Sequence, residues 1–564
     1  MNFIEKKQFE EAKKYIKSGM FVEANNVINQ MILESGDNPE VMSNVGKLYI
    51  VMGRYNLASV YIRRSFDLEK SFETLELLAN VNYEAGKYDL SAVEYEELIK
   101  HEPREDFYEK CIASYEKLDF YEEAIRVARM YNFAVETPSS YAQLIFMYIT
   151  AGMEDMAIFT CEDMQKKFPN HILTFNVLGL LHECIYNDYD KAKEYFKKAS
   201  NQGYIDAYYN LGVCCKQSED LENAEIYLKR VLSLKTNIKS DCYYTLGSVY
   251  MAGRKLRKGY KYYLKRRVAV EKKERYKKFL WDGKDYPNDI LYVSDEQGFG
   301  DNIQFIRYLP LVAEKFKKVI YGVREPLVQL FQQSFPQEKY SNIEIVTEDN
   351  IVKFNKFVLI MDLPYYLHMN FHNIPAKKSY LVANERKTDM MKTNYFNNNN
   401  FKLGLCWRSK GMQLRDAIYR TIDAPYYFKP FMDMENTSYY SFQIGDIFDM
   451  CKKYPQIKDL SPEFTDFSST AAALKNLDVL ITVDTALAHL AGALGVKTYL
   501  LLCHAPDWRW FDNTEKTEWY PSVTIIKQHD RRTWEDVSAK LNEYIQNDVK
   551  EFNKKRLKNK SSEE

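Results

Sequence analysis

The chain has almost no net charge. Of its 564 residues, 78 are Lys or Arg and 79 are Asp or Glu, a formal charge of −1. Dedicated nucleic-acid binders usually carry a large basic excess, so that class is set aside. Paired cysteine motifs are missing too. The nine Cys are scattered, none forms C-x-x-C, and only Cys214 and Cys215 are neighbours. Buried reduced thiols are expected, rather than a zinc site or a disulfide framework. No uninterrupted apolar run of about 18 residues occurs. The nearest, 486–503, is broken by His489, Gly492, Gly495 and Lys497 and reads as a buried helix followed by a buried strand. The opening MNFIEKKQFEEAKKY has no basic segment followed by an apolar one. No signal peptide is read there, and the expectation is a cytoplasmic protein without a transmembrane segment.

What is present is core material. Hydrophobic residues make up 46% and charged residues 28%, which is ordinary for a soluble globular chain. Aromatics reach 15%, with 45 Tyr and 32 Phe. The length admits about three or four domains.

The first half repeats itself. Small residues recur at Ala24, Ala58, Ala92, Ala124, Ala157, Ala192, Ala224 and Gly259, with gaps of 32 to 35. Nine residues before most of them stands Tyr15, Tyr49, Tyr83, Tyr115, Tyr148 or Tyr250. The spacing predicts a helix–turn–helix unit. The small residue lets the second helix approach the first, and the aromatic fills the groove to the next pair. One unit cannot bury its own apolar face, so units stack into a solenoid. The segment 206–235 looks like a tetratricopeptide repeat, with Tyr208, Leu211, Gly212, Ala224 and Leu228 in the matching places. About eight copies are expected over 5–270, with a concave face suited to a protein or peptide; an internal scaffold or dimer interface is the plain alternative. From Arg254 to Lys278 there are thirteen Lys/Arg against Glu271 and Glu274. That run reads as a solvated helix face, or as a positive rim beside an anionic partner.

After Pro287 the grammar changes to short apolar strands alternating with helices, which implies parallel sheets covered on both faces. Strands are expected at 290–294, 318–323, 343–347 and 357–361, then at 402–407, 438–444, 478–483 and 498–502. Helices are expected at 301–315, 325–334, 446–453, 468–476, 486–494 and 533–547. The domain reading is a solenoid over 1–270, a basic connector over 271–287 and an α/β unit over 288–386. An Asn-rich linker follows over 387–400, then a second α/β unit over 401–548 and a charged tail over 549–564. The fold class is thus α plus α/β.

Ligands of open parallel sheets bind outside the carboxyl ends of the strands, and candidates cluster there. DEQGFGD (295–301) supplies Gln297, Gly298, Gly300 and Asp301. Asp301 either caps the next helix or serves as a carboxylate base for an acceptor hydroxyl. Asp484, Thr485, Ala486, Leu487 and His489 open an Ala-rich helix whose N-terminus suits a diphosphate. Against this stands an N-cap Thr485 with His489 packed in the core. Trp407, Arg408, Lys410, Arg415, Asp416 and Arg420 follow a strand and suit phosphate charge. Trp508 and Trp510 of APDWRWF (505–511) either stack on a base or plug the cleft wall.

Three stretches carry a family resemblance: YVSDEQGFGDNIQFIRYLP (292–310), VDTALAHLAGALG (483–495) and APDWRW (505–510). Together they resemble bacterial tetratricopeptide-repeat glycosyltransferases, whose catalytic half is similar to glycosyltransferase family 9, the heptosyltransferases, with a GT-B pair of Rossmann-like domains. The resemblance implies a metal-independent transferase without a cofactor. A nucleotide-sugar donor would sit on the C-terminal unit and an acceptor on the N-terminal unit, with an inverting outcome. It makes Asp301 the catalytic base. Asp484, Thr485 and His489 become the donor turn, and Arg408, Lys410 and Arg420 phosphate-facing cations in loose register. Ala486 stands where heptosyltransferases usually carry Gly, so the heptose preference is not carried over. The resulting expectation is protein O-glycosylation, on flagellin or another surface protein recruited by the repeats. Rivals are a lipopolysaccharide or surface-glycan transferase, and a catalytically idle scaffold that binds a partner such as a secretion chaperone.

Overall fold

The computed structural model describes residues 2–349, 352–376, 378–409, 420–422, 425–445, 448–511, 515–531 and 533–563. The chain divides into two compact units, Met1–Ile185 and Tyr186–Glu564.

The first unit is helical throughout. Five helix pairs run from Phe3–Lys17 to Glu154–Lys167, and Ile172–Cys184 follows. The small residue of each second helix is wholly buried, as at Ala24, Ala58, Ala124 and Ala157. The first helix is limited in size as well: a Cβ on Gly46 would lie 2.3 Å from Ile62 Cγ1. Of the groove-filling tyrosines in this unit, Tyr49 and Tyr148 are buried, while Tyr15, Tyr83 and Tyr115 are half-buried. Helix starts are set locally. Asn38 caps Pro39–Val51, and Thr137 forms a reciprocal box with Ser140.

The second unit begins with helices of the same kind: Tyr189–Asn201, Ile205–Gln217, Leu221–Ser233, Lys239–Ala252, Leu256–Tyr263 and Arg267–Arg275. Two parallel sheets follow. The first contains β1 (Tyr286–Ser294), β2 (Phe316–Val323), β3 (Ile343–Thr347) and β4 (Lys356–Leu359), in the order β3-β2-β1-β4. The second contains β5 (Phe401–Cys406), β6 (Thr437–Ser441), β7 (Ile457–Asp459), β8 (Val479–Val483), β9 (Thr498–Leu502) and β10 (Val523–Lys527), in the order β10-β9-β8-β5-β6-β7. The strand order reverses between β1 and β4 in one sheet and between β5 and β8 in the other. Such switch points open a crevice at the carboxyl ends.

The largest core cluster does not respect the change of grammar. Met251, Leu256, Tyr260 and Tyr263 of the last helix pair pack with Trp281, with strands of both sheets and with Trp508, Trp510 and Trp519. A separate core covers the other face of the second sheet, where Val537, Leu541 and Ile545 of helix Glu535–Glu563 pack on Leu403, Leu405 and Ile481.

Several boundaries differ from expectation. Strands β7 and β10 are additional; β7 is three residues long, too short for a period to register. The expected helix 301–315 breaks into Phe299–Phe305 and Leu309–Ala313 around a 3-10 turn, with Pro310 in the first turn of the second piece. The Asn-rich stretch 387–400 is not all linker. Helix Glu385–Tyr395 occupies most of it, capped by Asn384 and anchored by buried Met391. The last stretch 549–563 continues helix Glu535–Glu563.

The basic run divides between two roles. Arg254 lies 4.7 Å from the Phe371 ring, Lys258 3.9 Å from Tyr250 and Lys265 4.7 Å from Tyr243. Arg266, Lys272 and Lys273 face acidic residues after β1 and β4. Arg254, Lys258 and Lys265 remain exposed, as do most cations of the run, so the solvated face holds for them; Arg266 alone is buried, with Lys272 and Lys273 half-buried beside it.

Candidate functional site

The loop after β1 is acidic, buried and held by the repeats. Asp295 and Glu296 are both 3% exposed. Arg266, at the N-terminus of helix Arg267–Arg275, reaches Glu296. Its Nε donates to Glu296 Oε1 at 2.7 Å and its Nη2 to Glu296 Oε2, while Nη1 reaches Asp362 Oδ1 at 2.8 Å. Lys273 pairs with the other oxygen of Asp362 at 2.7 Å. Arg324 Nε donates to Asp295 Oδ2 at 2.8 Å, and Lys272 Nζ donates to the Asp295 carbonyl, also at 2.8 Å. Gln297 has a φ of 59° and meets the Tyr263 hydroxyl. Bonds on both sides hold that backbone in the left-handed region.

Asp301 does two things. One oxygen, Oδ2, accepts the Gly298 N–H at 2.8 Å and so caps helix Phe299–Phe305. The other, Oδ1, pairs with the Arg509 guanidinium from the second sheet's side. Gly300 permits the approach between the two halves. A Cβ there would lie 2.8 Å from His489 Cδ2 and 3.3 Å from the Ala486 Cα. Ala486 and His489, beside the second sheet, therefore sit directly against Gly300 beside the first.

At the β5/β8 switch, Gln443 Oε1 accepts the N–H groups of Trp407 (3.1 Å) and Arg408 (2.8 Å) and fixes that loop. Ser409 Oγ donates to the Asp484 carbonyl at 3.4 Å, and Arg420 Nη1 lies 3.6 Å from Asp484 Oδ2. Burial raises the pKa of Asp484, with Arg420 opposing. The Thr485 hydroxyl accepts the Leu487 N–H at 3.3 Å, the ordinary N-cap arrangement. His489 Nδ1 lies 2.8 Å from the Tyr520 hydroxyl, and its ring stacks on Trp510 at 5.1 Å. Burial, with Arg509 and Arg307 nearby, pushes its pKa down to about 3, so the imidazole is neutral at pH 7. Lys410, Arg415 and Asp416 lie outside the described residues.

Arg509 is the group the sequence reading passed over. It is 6% exposed. Besides Asp301, it donates through Nη1 to Asp507 Oδ1 at 2.6 Å and through Nε to Gln304 Oε1 at 2.9 Å. Burial tends to raise the pKa of Asp507, but Arg509 and Lys216 outweigh it and hold the carboxyl below its usual range. The flanking tryptophans drew attention within the same motif, yet both are wall. Trp508 is 1% exposed and packs edge-on against Tyr260 and Tyr263, and Trp510 is wholly buried. Arg266 and Arg307 were missed too, the first inside a basic run that read as surface. Arg307 donates to the Trp519 carbonyl and the Tyr380 hydroxyl, both at 3.0 Å.

The site residues thus gather at one seam within the second unit. Asp301 with its loop, Arg509 with Asp507, and Asp484 with Arg420 and Ser409 meet near the N-terminus of helix Ala486–Leu494. Tyr244 and Tyr263 of the repeats stand at its edge, with ring centroids 5.2 Å apart.

Comparison with known proteins identifies the repeats. The family pattern described as tetratricopeptide repeat matches residues 205–238. Protein FlbA of Caulobacter vibrioides is 23% identical over 283 residues, 46% of this chain and 47% of that protein. The chain thus spans about half the length of this curated relative. Among solved structures, a tetratricopeptide repeat protein from Parabacteroides merdae is 15% identical, with a TM-score of 0.34, over 43% of this chain and 97% of the other. MamA of Desulfovibrio magneticus is 20% identical, with a TM-score of 0.25, over 29% of this chain and 95% of that one. The chain contains tetratricopeptide repeats, and a parallel α/β region follows them.

Proposed function

We propose that the chain is a glycosyltransferase with a GT-B-like arrangement of its two sheets, moving a sugar from a nucleotide-sugar donor to a Ser or Thr hydroxyl of a protein. The observation that carries this reading is the convergence of both switch points on one seam, with Asp301 on one side and Arg509, Arg420 and a nine-residue helix N-terminus on the other. A carboxylate opposite cations and helix N–H groups matches the demands of the reaction. The acceptor oxygen bonds to the sugar's anomeric carbon as the carbon–oxygen bond to the diphosphate breaks. Asp301 takes the hydroxyl proton. The charge growing on the diphosphate meets Arg509, Arg420 and the positive helix end. The expected acceptor is flagellin or another surface protein recruited by the repeats.

A second reading has its own support. Thr485 caps its helix, His489 packs in the core, and Asp301 caps Gly298 while paired with Arg509. Each has a structural task, as an idle scaffold would require. Intact masses of surface proteins, flagellin first, from strains with and without this chain separate the two. A sugar-sized mass difference that disappears in folded Asp301→Ala supports transfer. No mass difference in any surface protein leaves the scaffold.

A further inference from the structure

The Asp301–Arg509 pair poses a problem for the transferase reading, on which the following rests. A base that must accept a hydroxyl proton has Oδ1 occupied by a guanidinium and Oδ2 by the Gly298 N–H. The cation best placed to meet a diphosphate is at the same time bound to that base.

We propose that Arg509 exchanges partners: it holds Asp301 until a donor diphosphate binds, then turns to the diphosphate and leaves Asp301 Oδ1 open to the acceptor hydroxyl.

Three observations support the exchange. First, the three outer nitrogens of Arg509 go to Asp301, Asp507 and Gln304, so losing Asp301 leaves the guanidinium held at two points and free at the third. Its carbonyl is pinned separately by Trp519 Nε1 at 2.6 Å, so the side chain can move without the backbone. Second, buried donors beside it are unspent. Gln304 Nε2 and Trp508 Nε1, on side chains 0% and 1% exposed, have no partner among the described residues. Buried donors without acceptors are costly, and an anion brought in by a ligand would satisfy them. Third, the pair bridges the two halves at Gly300, where no side chain intervenes. A charge drawn toward the second sheet's side therefore acts at once on the carboxylate beside the first. The consequence is an order of events: the base becomes available only with the donor in place, which protects the donor from transfer to water.

Asp301 and the diphosphate then compete for one guanidinium, and linkage gives the test. Affinities for ADP, UDP, GDP, CDP and dTDP are measured by calorimetry on the full chain. Asp301→Asn removes the competitor and should tighten the best-binding nucleotide by about fivefold or more. Arg509→Gln should weaken it by about tenfold or more, and the double variant should match Arg509→Gln alone. A purely structural Arg509 would shift Tm and leave affinity unmoved, which overturns the proposal. Unchanged or weaker binding in Asp301→Asn also overturns it. So does tightening that persists in the Arg509→Gln background, because simple charge removal would then explain it. If Arg509→Gln fails to fold, Arg509→Lys replaces it as the background in which the tightening must disappear, and the Asp301→Asn amide keeps an oxygen for the Gly298 N–H. Should none of the five bind wild type or Asp301→Asn, the transferase reading falls together with this one. Binding without tightening removes only the exchange.

Discussion

The repeats before residue 185 and those after it are built to one pattern but use their side chains differently, and the turns between paired helices show it. In the first unit the turn residue with positive φ is Gly19, Gly53, Gly86 or Gly152, with Asp119 the exception. In the second unit the equivalent residues are Glu219 and Arg254, with φ of 62° and 60°. Non-glycine residues pay a steric penalty in that region. Both penalties have a visible return: Glu219 pairs with Lys527, and Arg254 lies over Phe371. Polar networks differ in the same sense. In the first unit, Asn82 links Ser59 to Glu94 within consecutive helix pairs. In the second, Arg266 and Lys273 leave the repeats altogether for Glu296 and Asp362. The first set spends its polar groups between consecutive helix pairs, and the second set is part of the α/β core.

The sharpest way to break this comparison is truncation. A chain starting at residue 186 should give a single cooperative melt with native near-ultraviolet dichroism, whereas one starting at 276 should not fold, having lost Tyr260, Tyr263 and Arg266. Two well-folded products would end the distinction. Next in size is Arg266→Met, which strands buried Glu296, leaves Asp362 with Lys273 alone and should cost about 3–5 kcal/mol by urea titration. Its counterpart Arg104→Ala removes a partly exposed pairing with Glu76 and Asp106 and should cost less than about 1 kcal/mol. Equal losses would mean that burial is not what separates the units.

A pH effect belongs to the second unit. His489 has its pKa held near 3 by burial, against about 6.5 in an unfolded chain. The unfolded chain thus binds more protons below about pH 6.5. The stability that neutral His489 contributes is complete above that pH and drains away as pH falls toward 3. Melts of the 186–564 chain should show this slope, and His489→Gln should flatten it. The smallest expected effect is Glu219→Gly, where relief of left-handed strain and loss of the Lys527 contact offset each other. A gain above about 1 kcal/mol would show that the contact does not repay the strain.

Much of the architecture was legible because local chemistry repeats. A small residue every 32 to 35 positions reports helix pairs, and apolar runs such as 343–347 and 498–502 coincide with β3 and β9. Helix Glu385–Tyr395 escaped notice because its one buried residue, Met391, gives no apolar period. Site residues were legible as a neighbourhood more than as roles. Asp301, Asp484, Thr485 and His489 do gather, yet Thr485 reads as a cap and His489 as packed imidazole once their partners are seen.

By itself, then, the sequence determined the helix pairs, the alternation of strand and helix, and the chain segments that end at the carboxyl edge of each sheet. These follow from periodicity and backbone chemistry within a few turns of chain. Only the tertiary structure decided where charge is spent. Arg266 meets Glu296 across 30 residues, and Arg509 meets Asp301 across 208. A buried cation chooses its partner by proximity after folding, and no local pattern in the chain encodes that choice.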